Sequence, residues 1–456
     1  MATTPPAPVR ATNRRVLIGS LSGSAIEWFD FFLFATAAAL IFDKQFFPTD
    51  DPALSLMLSY VSLSLTFFIR PFGGIVFSHI GDRIGRKKTL VITLSLMGGA
   101  TVAIGLLPTF EQVGVLAPIL LMVCRIIQGL AIGGEWGGAL LLAFEYAPKG
   151  RRGFFGSVPQ TGITIGMLLS TIAFALVSML PAESFDAWGW RLPFIASIVL
   201  VIVGLWIRKG LGETPEFQKA KDSGDVAKLP IAETLRDHWR SVLVAIGAKV
   251  VETAPFYVFA TFVVSYATGT LDFERSTVLN AVSAGAFVST IAILATGALS
   301  DRVGRRRVFL VGAVLIALFA APFFLLLDIG MDWGVYAAVV IGLGVVWPPV
   351  TATLGTLMSE IFSTRVRYTG ITLGYQIGAA LAGGTAPLVA TWLLTSFGGS
   401  WVPIAIYLAI IAVISITAVT LSPLATRREA ELLAAREHGI RSPRTTTTAP
   451  EEEFSA

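Results

Sequence analysis

The sequence is short of charge. Asp, Glu, Lys and Arg make up 14% of the 456 residues, against 54% hydrophobic residues and a mean hydropathy of +0.74. An average soluble domain is about one quarter charged, and so few charged side chains cannot cover a soluble surface of this size. A soluble enzyme is thereby excluded, as is a chain disordered beyond its ends. Cysteine is nearly absent: Cys124 stands alone inside an apolar run, which excludes an intrachain disulfide framework. Histidine occurs three times, at the end of an apolar run (His79) and in polar segments (His238, His438), so none is placed to shuttle a proton in mid-membrane. The apolar runs contain no HExxH, Cys/His cluster or phosphate-binding loop, and neither metal, cofactor nor chemical catalysis is expected. A net charge of +4 does not point to nucleic acid.

What the sequence does have is length of apolar run. Twelve stretches reach the ~20 residues that cross a ~30 Å hydrocarbon core as a helix. They lie near 16–41, 54–80, 89–107, 114–137, 156–180, 188–208, 241–268, 278–300, 308–327, 333–359, 369–396 and 401–422. Barrel strands are shorter and alternate with period two, so these runs predict an all-α membrane protein of twelve transmembrane helices. Arg and Lys crowd the loops on one side, as in Arg83–Lys88, Arg151–Arg152 and Arg302–Arg307, while the other side carries Asp43, Asp50, Asp51, Glu183, Asp186 and Asp272. The positive-inside rule then puts both termini in the cytoplasm. The first run is too long for a cleaved signal peptide and contains Glu27 and Asp30.

The chain also repeats itself. GDRIGRKK at 81–88 follows the second run and SDRVGRRR at 300–307 follows the eighth, nearly half the chain apart, and the polar stretch 209–240 separates six runs from six. A duplicated unit predicts two pseudo-symmetric six-helix bundles. The expected organisation is a cytoplasmic N-terminal segment 1–15, a bundle 16–208, a linker 209–240, a bundle 241–422 and a cytoplasmic tail 423–456. In that tail TRREAELLAAREHG is expected as a short surface helix and the rest as disordered.

Several charges stand inside the runs, where each costs ~2.5–3.5 kcal/mol at mid-bilayer and marks a functional candidate. Glu27 and Asp30 share a face of span 1; Arg70 is in span 2; Arg125, Gln128 and Glu135 are in span 4; Lys249 and Glu252 are three apart in span 7. Signs in near balance imply pairing around a polar cavity, with Glu135 and Glu252 expected as structural ion pairs. Asp30 and Arg125 are the expected proton-coupling pair, with Glu27 as the alternative acid. An arginine that leaves Asp30 for a substrate anion strips the acid of its counter-charge, and a proton takes its place. The basic loops, with Gly81, Asp82, Arg83, Gly85 and Arg86 in one copy and Asp301, Arg302, Gly304 and Arg305 in the other, are expected to form a cytoplasmic gate. In it an Asp meets a facing helix N-terminus and Arg meets nearby carboxylates. The glycines of GGEWGG (133–138) and GAALAGG (378–384) suit close helix packing, and Pro348–Pro349 must interrupt a helix.

Twelve spans, the paired DRxGR loops and RIIQGLAIGG in span 4 resemble the major facilitator superfamily. EWFD (27–30), FFIRPFGG (67–74), QGLAIGGEWGGALLL (128–142), WGWRLPF (188–194) and GYQIGAALAGG (374–384) narrow the resemblance to its metabolite:proton symporters, shikimate-permease-like, over residues 16–425. The resemblance implies two bundles rocking about a central site and proton-driven uptake, with Asp30 and Arg125 matching the family's span 1 acid and span 4 arginine. Lys249 stands where related members often have Arg, which keeps the charge and loses the fork. GSVPQTGITIG (156–166) lacks the Gly-Pro signature of drug antiporters.

The expected function is proton-coupled uptake of a small organic anion such as shikimate, a dicarboxylate or an aromatic acid. Arg70, Arg125 and Lys249 supply positive charge, and Gln128, Gln160, Tyr257, Asn280, Trp347, Tyr375 and Gln376 are candidates for the cavity wall. The protein is expected as a monomer in a bacterial inner membrane, in contact with lipid, protons and its substrate. An exporter or a betaine symporter of the same fold, and a passive channel, are the alternatives; a channel would repeat around a pore axis and has no need of an internal acid–base pair.

Overall fold

The computed structural model describes residues 9–84, 86–133, 147–148, 150–209, 231–362 and 367–437, with no strand among them. In the first half α1 is Val9–Leu40, α2 Pro52–Ile84, α3 Arg86–Leu106, α4 Leu116–Gly133, α5 Arg152–Val177 and α6 Leu192–Lys209. In the second, α7 runs Trp239–Tyr257, passes through a π turn at Val258–Phe262 and ends as Val263–Gly269. Then follow α8 Arg275–Val303 and α9 Arg305–Leu327. The next helix, α10, is Asp332–Ile341, a π turn Gly342–Val346 and Pro348–Ile361; α11 is Arg367–Ala382 with Thr385–Ser396, and α12 is Val402–Glu437. Among the described residues eleven of these are long and apolar enough to cross a membrane, and the twelfth, α3, has a shorter apolar stretch, Val91–Leu106.

Local chemistry explains the interruptions. Pro348 and Pro349 take the first two positions of the second segment of α10, where a missing N–H leaves no bond unmade. Pro255 lies inside α7 and the π turn opens three residues later. Gly304 joins α8 to α9 at φ +100°, which a side chain would strain. The expected short surface helix of the tail is instead a continuation of α12 to Glu437, with Pro423 accommodated inside it. The Ala, Leu, Glu and Arg of that stretch are strong helix formers and extend a helix already begun.

Helix pairing repeats at an interval of six. In the first half α1 packs on α5, α2 on α4 and α3 on α6; in the second α7 packs on α11, α8 on α10 and α9 on α12. The two bundles meet along two seams related by the same repeat, α5 with α8 and α2 with α11. Small residues let the backbones approach: a Cβ on Gly297 of α8 would meet Ser157 Cβ of α5 at 2.5 Å, and one on Gly384 of α11 would meet Ser64 Cα of α2 at 2.7 Å. Polar links cross both seams, Thr164 Oγ1 to Thr290 Oγ1 at 2.8 Å and the Ser64 hydroxyl to the Gly384 carbonyl. Large apolar side chains such as Phe287, Trp206 and Leu318 point outward, as lipid requires.

Candidate functional site

The buried charges converge between the bundles. Asp30 is midway along α1, fully buried, beside Thr101 of α3, and neither carboxylate oxygen has a hydrogen-bond partner among the described residues. Arg125 is expected opposite it as counter-charge, and the structure corrects this. Arg125 Nη1 donates to Gln128 Oε1 at 2.7 Å, Nε to the Ser62 carbonyl at 3.3 Å and Nη2 to the Leu63 carbonyl at 3.4 Å, while the guanidinium lies 3.7 Å from the Phe34 ring centre. Gln128 stands one turn on from Arg125 on the same helical face, within reach of its fork. The two groups are joined through neutral side chains: Gln128 Nε2 donates to Thr101 Oγ1 at 2.9 Å, and that hydroxyl, which donates to the Met97 carbonyl at 3.0 Å, stands beside Asp30.

A small cavity of about 10 Å³ lies next to this network, enough for about one water. Both bundles line it, with Trp28, Phe67 and Arg70 from α1 and α2 and Lys249, Glu252, Phe256, Tyr257, Trp347 and Tyr375 from α7, α10 and α11. Arg70 is sandwiched by aromatic rings, 4.4 Å from the Phe67 centroid and 4.8 Å from that of Phe31, and its Nε and Nη2 have no hydrogen-bond partner among the described residues. The Tyr257 hydroxyl is likewise buried and without one.

On the opposite wall Lys249 is ion-paired with Glu252, its ammonium 3.7 Å from the Tyr375 ring centre. Glu252 also accepts from Thr253 Oγ1 at 2.9 Å and Thr351 Oγ1 at 3.1 Å, and its carbonyl accepts from Trp347 Nε1 at 2.6 Å. This pair, three apart on α7, is both buried and on the cavity wall.

Not every expected wall residue is there. Arg70, Lys249, Tyr257, Trp347 and Tyr375 line the cavity, whereas Arg125 and Gln128 stand behind it. Gln160 of α5 also stands off the wall and bridges the bundles, donating from Nε2 to the Thr351 carbonyl at 3.2 Å. Gln376 is buried off the cavity, and Asn280 is exposed in the second turn of α8, since a polar residue near a helix end needs only water. Glu27 is buried within electrostatic reach of Arg70. Glu135 lies outside the described residues. Sequence reasoning missed Trp28, Phe67, Phe256, Thr101 and Thr351. Phe256 was legible, falling seven residues after Lys249 on one helical face, and Phe67 three before Arg70.

Contacts close the cavity toward both faces. On the acidic-loop face Phe32 of α1 meets Phe256 of α7 at 5.3 Å between ring centres, Tyr60 Oη bonds Ser265 Oγ at 2.9 Å, and Arg275 of α8 lies 4.5 Å from the Phe185 ring centre. Asp43 joins that cluster; burial pushes its carboxyl above the ordinary carboxylate range, Lys44 opposing and Asp186 adding to the shift. On the basic-loop face Asp301 accepts from the first backbone N–H groups of α5, Gly153 at 2.7 Å and Phe154 at 3.0 Å. Arg305 approaches Asp301 at 3.5 Å and is ion-paired with Glu360, whereas Arg302 is exposed. Gly81, Asp82, Arg83, Gly85 and Arg86 fall where α2 gives way to α3, and their side chains lie outside the described residues.

The family model of the Major Facilitator Superfamily matches residues 20–383. The shikimate transporter of Escherichia coli strain K12 is 39% identical over 399 residues, 87% of this chain and 91% of that protein. The proline/betaine transporter of the same strain is 34% identical over 429 residues, 91% of this chain and 84% of that protein. In fold, the chain is similar to the crystal structure of the D-xylose-proton symporter, with a TM-score of 0.65 over 90% of this chain and 96% of that one at 17% identity.

Proposed function

This chain belongs to the major facilitator superfamily and is a membrane transporter rather than an enzyme; from that premise we propose that it carries a small organic anion and a proton together into the cell. The observation that carries the reading is a mismatch at the centre. A buried arginine, Arg70, has N–H groups waiting for an acceptor, a buried acid, Asp30, has oxygens waiting for a donor, and the two do not meet. Substrate carboxylate and proton supply what each lacks. Alternating access then consists of releasing one set of closing contacts at a time, the Phe32–Phe256 and Tyr60–Ser265 contacts on one face or the Asp301 cap on the other.

In this reading the membrane is a bacterial inner membrane, both termini are cytoplasmic, and the Asp301 cap is the inner gate. A zwitterion is the second reading, favoured by the 34% identity to a proline/betaine transporter. Right-side-out vesicles test the direction: substrate added outside should bring protons in. Proton exit on adding substrate would make the protein an exporter, and uptake indifferent to the proton gradient would make it a passive channel.

A further inference from the structure

Among the described residues the buried Asp, Glu, Lys and Arg side chains are Glu27, Asp30, Arg70, Arg125, Lys249 and Glu252, none more than 6% exposed. Three of these are acids and three are bases, Glu135 of span 4 lying outside the described residues. Where charge is poorly solvated such a cluster is tolerated when its signs cancel, and any charge added to it needs a partner.

Partners are unevenly distributed around the cavity. Lys249 is already held by Glu252, whose oxygens also accept from Thr253 and Thr351. Arg125 is off the cavity, its donors on Gln128 and two backbone carbonyls. Arg70 and Tyr257 face the cavity with Nε, Nη2 and Oη lacking partners among the described residues. Two guanidinium N–H groups and a phenol O–H suit a single carboxylate, which offers about four acceptor sites. A second carboxylate on the same substrate would find a neutralised lysine with Glu252 beside it. A fixed positive charge fares no better, since Arg70 itself lies against the rings of Phe31 and Phe67.

We propose, resting on the proton-coupled reading above, that each cycle carries one carboxylate on Arg70 and Tyr257 and one proton on Asp30, so that the substrate is a monocarboxylate with an uncharged body and the cycle is electroneutral. One negative charge and one positive charge enter the cluster together, and its net charge does not change. The aromatic rings of Trp28, Phe256 and Trp347 on the cavity wall suit a cyclic body.

Proteoliposomes holding the full chain test this with five probes: shikimate, benzoate, 2-oxoglutarate, citrate and glycine betaine. A pH gradient and a potassium–valinomycin potential are imposed separately. Shikimate or benzoate should accumulate with the pH gradient and be indifferent to the potential, while 2-oxoglutarate, citrate and glycine betaine should not accumulate. Proton-driven accumulation of any of those three, or monocarboxylate uptake that follows the potential, would overturn the inference and leave proton coupling standing. Absence of proton-driven uptake for all five would overturn both. Tyr257→Phe keeps the ring and removes one donor, so KM for the transported monocarboxylate should rise about tenfold at unchanged folded yield. An unchanged KM would remove the carboxylate from this position.

Discussion

Arg125 is the residue whose surroundings are most specific. Its fork is spread over Gln128, Ser62 and Leu63, and hydrogen bonds from a charged group contribute about 1.5–3 kcal/mol each when buried. Arg125→Lys keeps a charge near Phe34 and loses the fork, so transport should fall roughly ten- to a hundredfold with folded protein retained; Arg125→Gln should be inactive. Initial uptake rate per folded molecule checks both. Asp43 makes a prediction of the opposite kind. Its carboxyl is pushed up from 3.8 by burial, among Lys44, Asp186, Tyr60 and Arg275, so the fold holds its proton more tightly than the unfolded chain does. That contribution is complete below 3.8 and is lost as pH rises through the folded value. Asp43→Asn should therefore melt higher than the parent at neutral pH, the difference shrinking as the medium is acidified. At this scale the sequence was readable where chemistry contrasts with its surroundings, as with Asp30, Arg70 and Lys249 inside apolar runs. It was unreadable for Trp28, because among 31 Phe and 10 Trp an aromatic residue in a span carries no contrast. Asn280 misled for the reverse reason, polarity near a helix end being the ordinary case.

Helices are held in place by close approach as much as by charge. On α2 and α4 a Cβ at Gly73 would meet Leu130 Cα at 2.7 Å, and one at Gly133 would meet the Gly74 nitrogen at 2.7 Å. Gly133→Ala should cost about 1–3 kcal/mol by forcing these two helices apart. Gly99 on α3 has nothing within 4 Å, so Gly99→Ala serves as control and should leave melting in detergent unchanged or slightly raised. Gly133, alone among the residues of GGEWGG within the described residues, was therefore legible as packing. Span lengths were legible too, since the membrane fixes them. The π turn of α7 was not, because Pro255 marks a break without telling which way the backbone resolves it. Nor was the run of α12 to Glu437, where helix propensity carries on past the last apolar residue.

At the scale of the whole molecule, two bundles enclose a cavity too small for any organic anion, and motion between them must open it. The two-bundle plan was legible from the repeated DRxGR loops and the polar linker; the closed arrangement was not, because closure depends on contacts between residues hundreds apart in sequence. Asp301 is the clearest of these, a carboxylate on the N-terminus of α5, worth up to about 2 kcal/mol when partly buried. Asp301→Ala should shift the population toward a state open on the basic-loop face, seen as faster labelling of a cysteine placed at position 157 on a Cys124→Ser background. The central claim is that Asp30 takes the coupled proton. Asp30→Asn keeps the size and cannot ionise, so in proteoliposomes accumulation driven by a pH gradient should vanish while counterflow, which needs no net proton movement, persists. Accumulation against a concentration gradient by a folded Asp30→Asn protein would contradict the account and hand the role to Glu27, one turn away on α1.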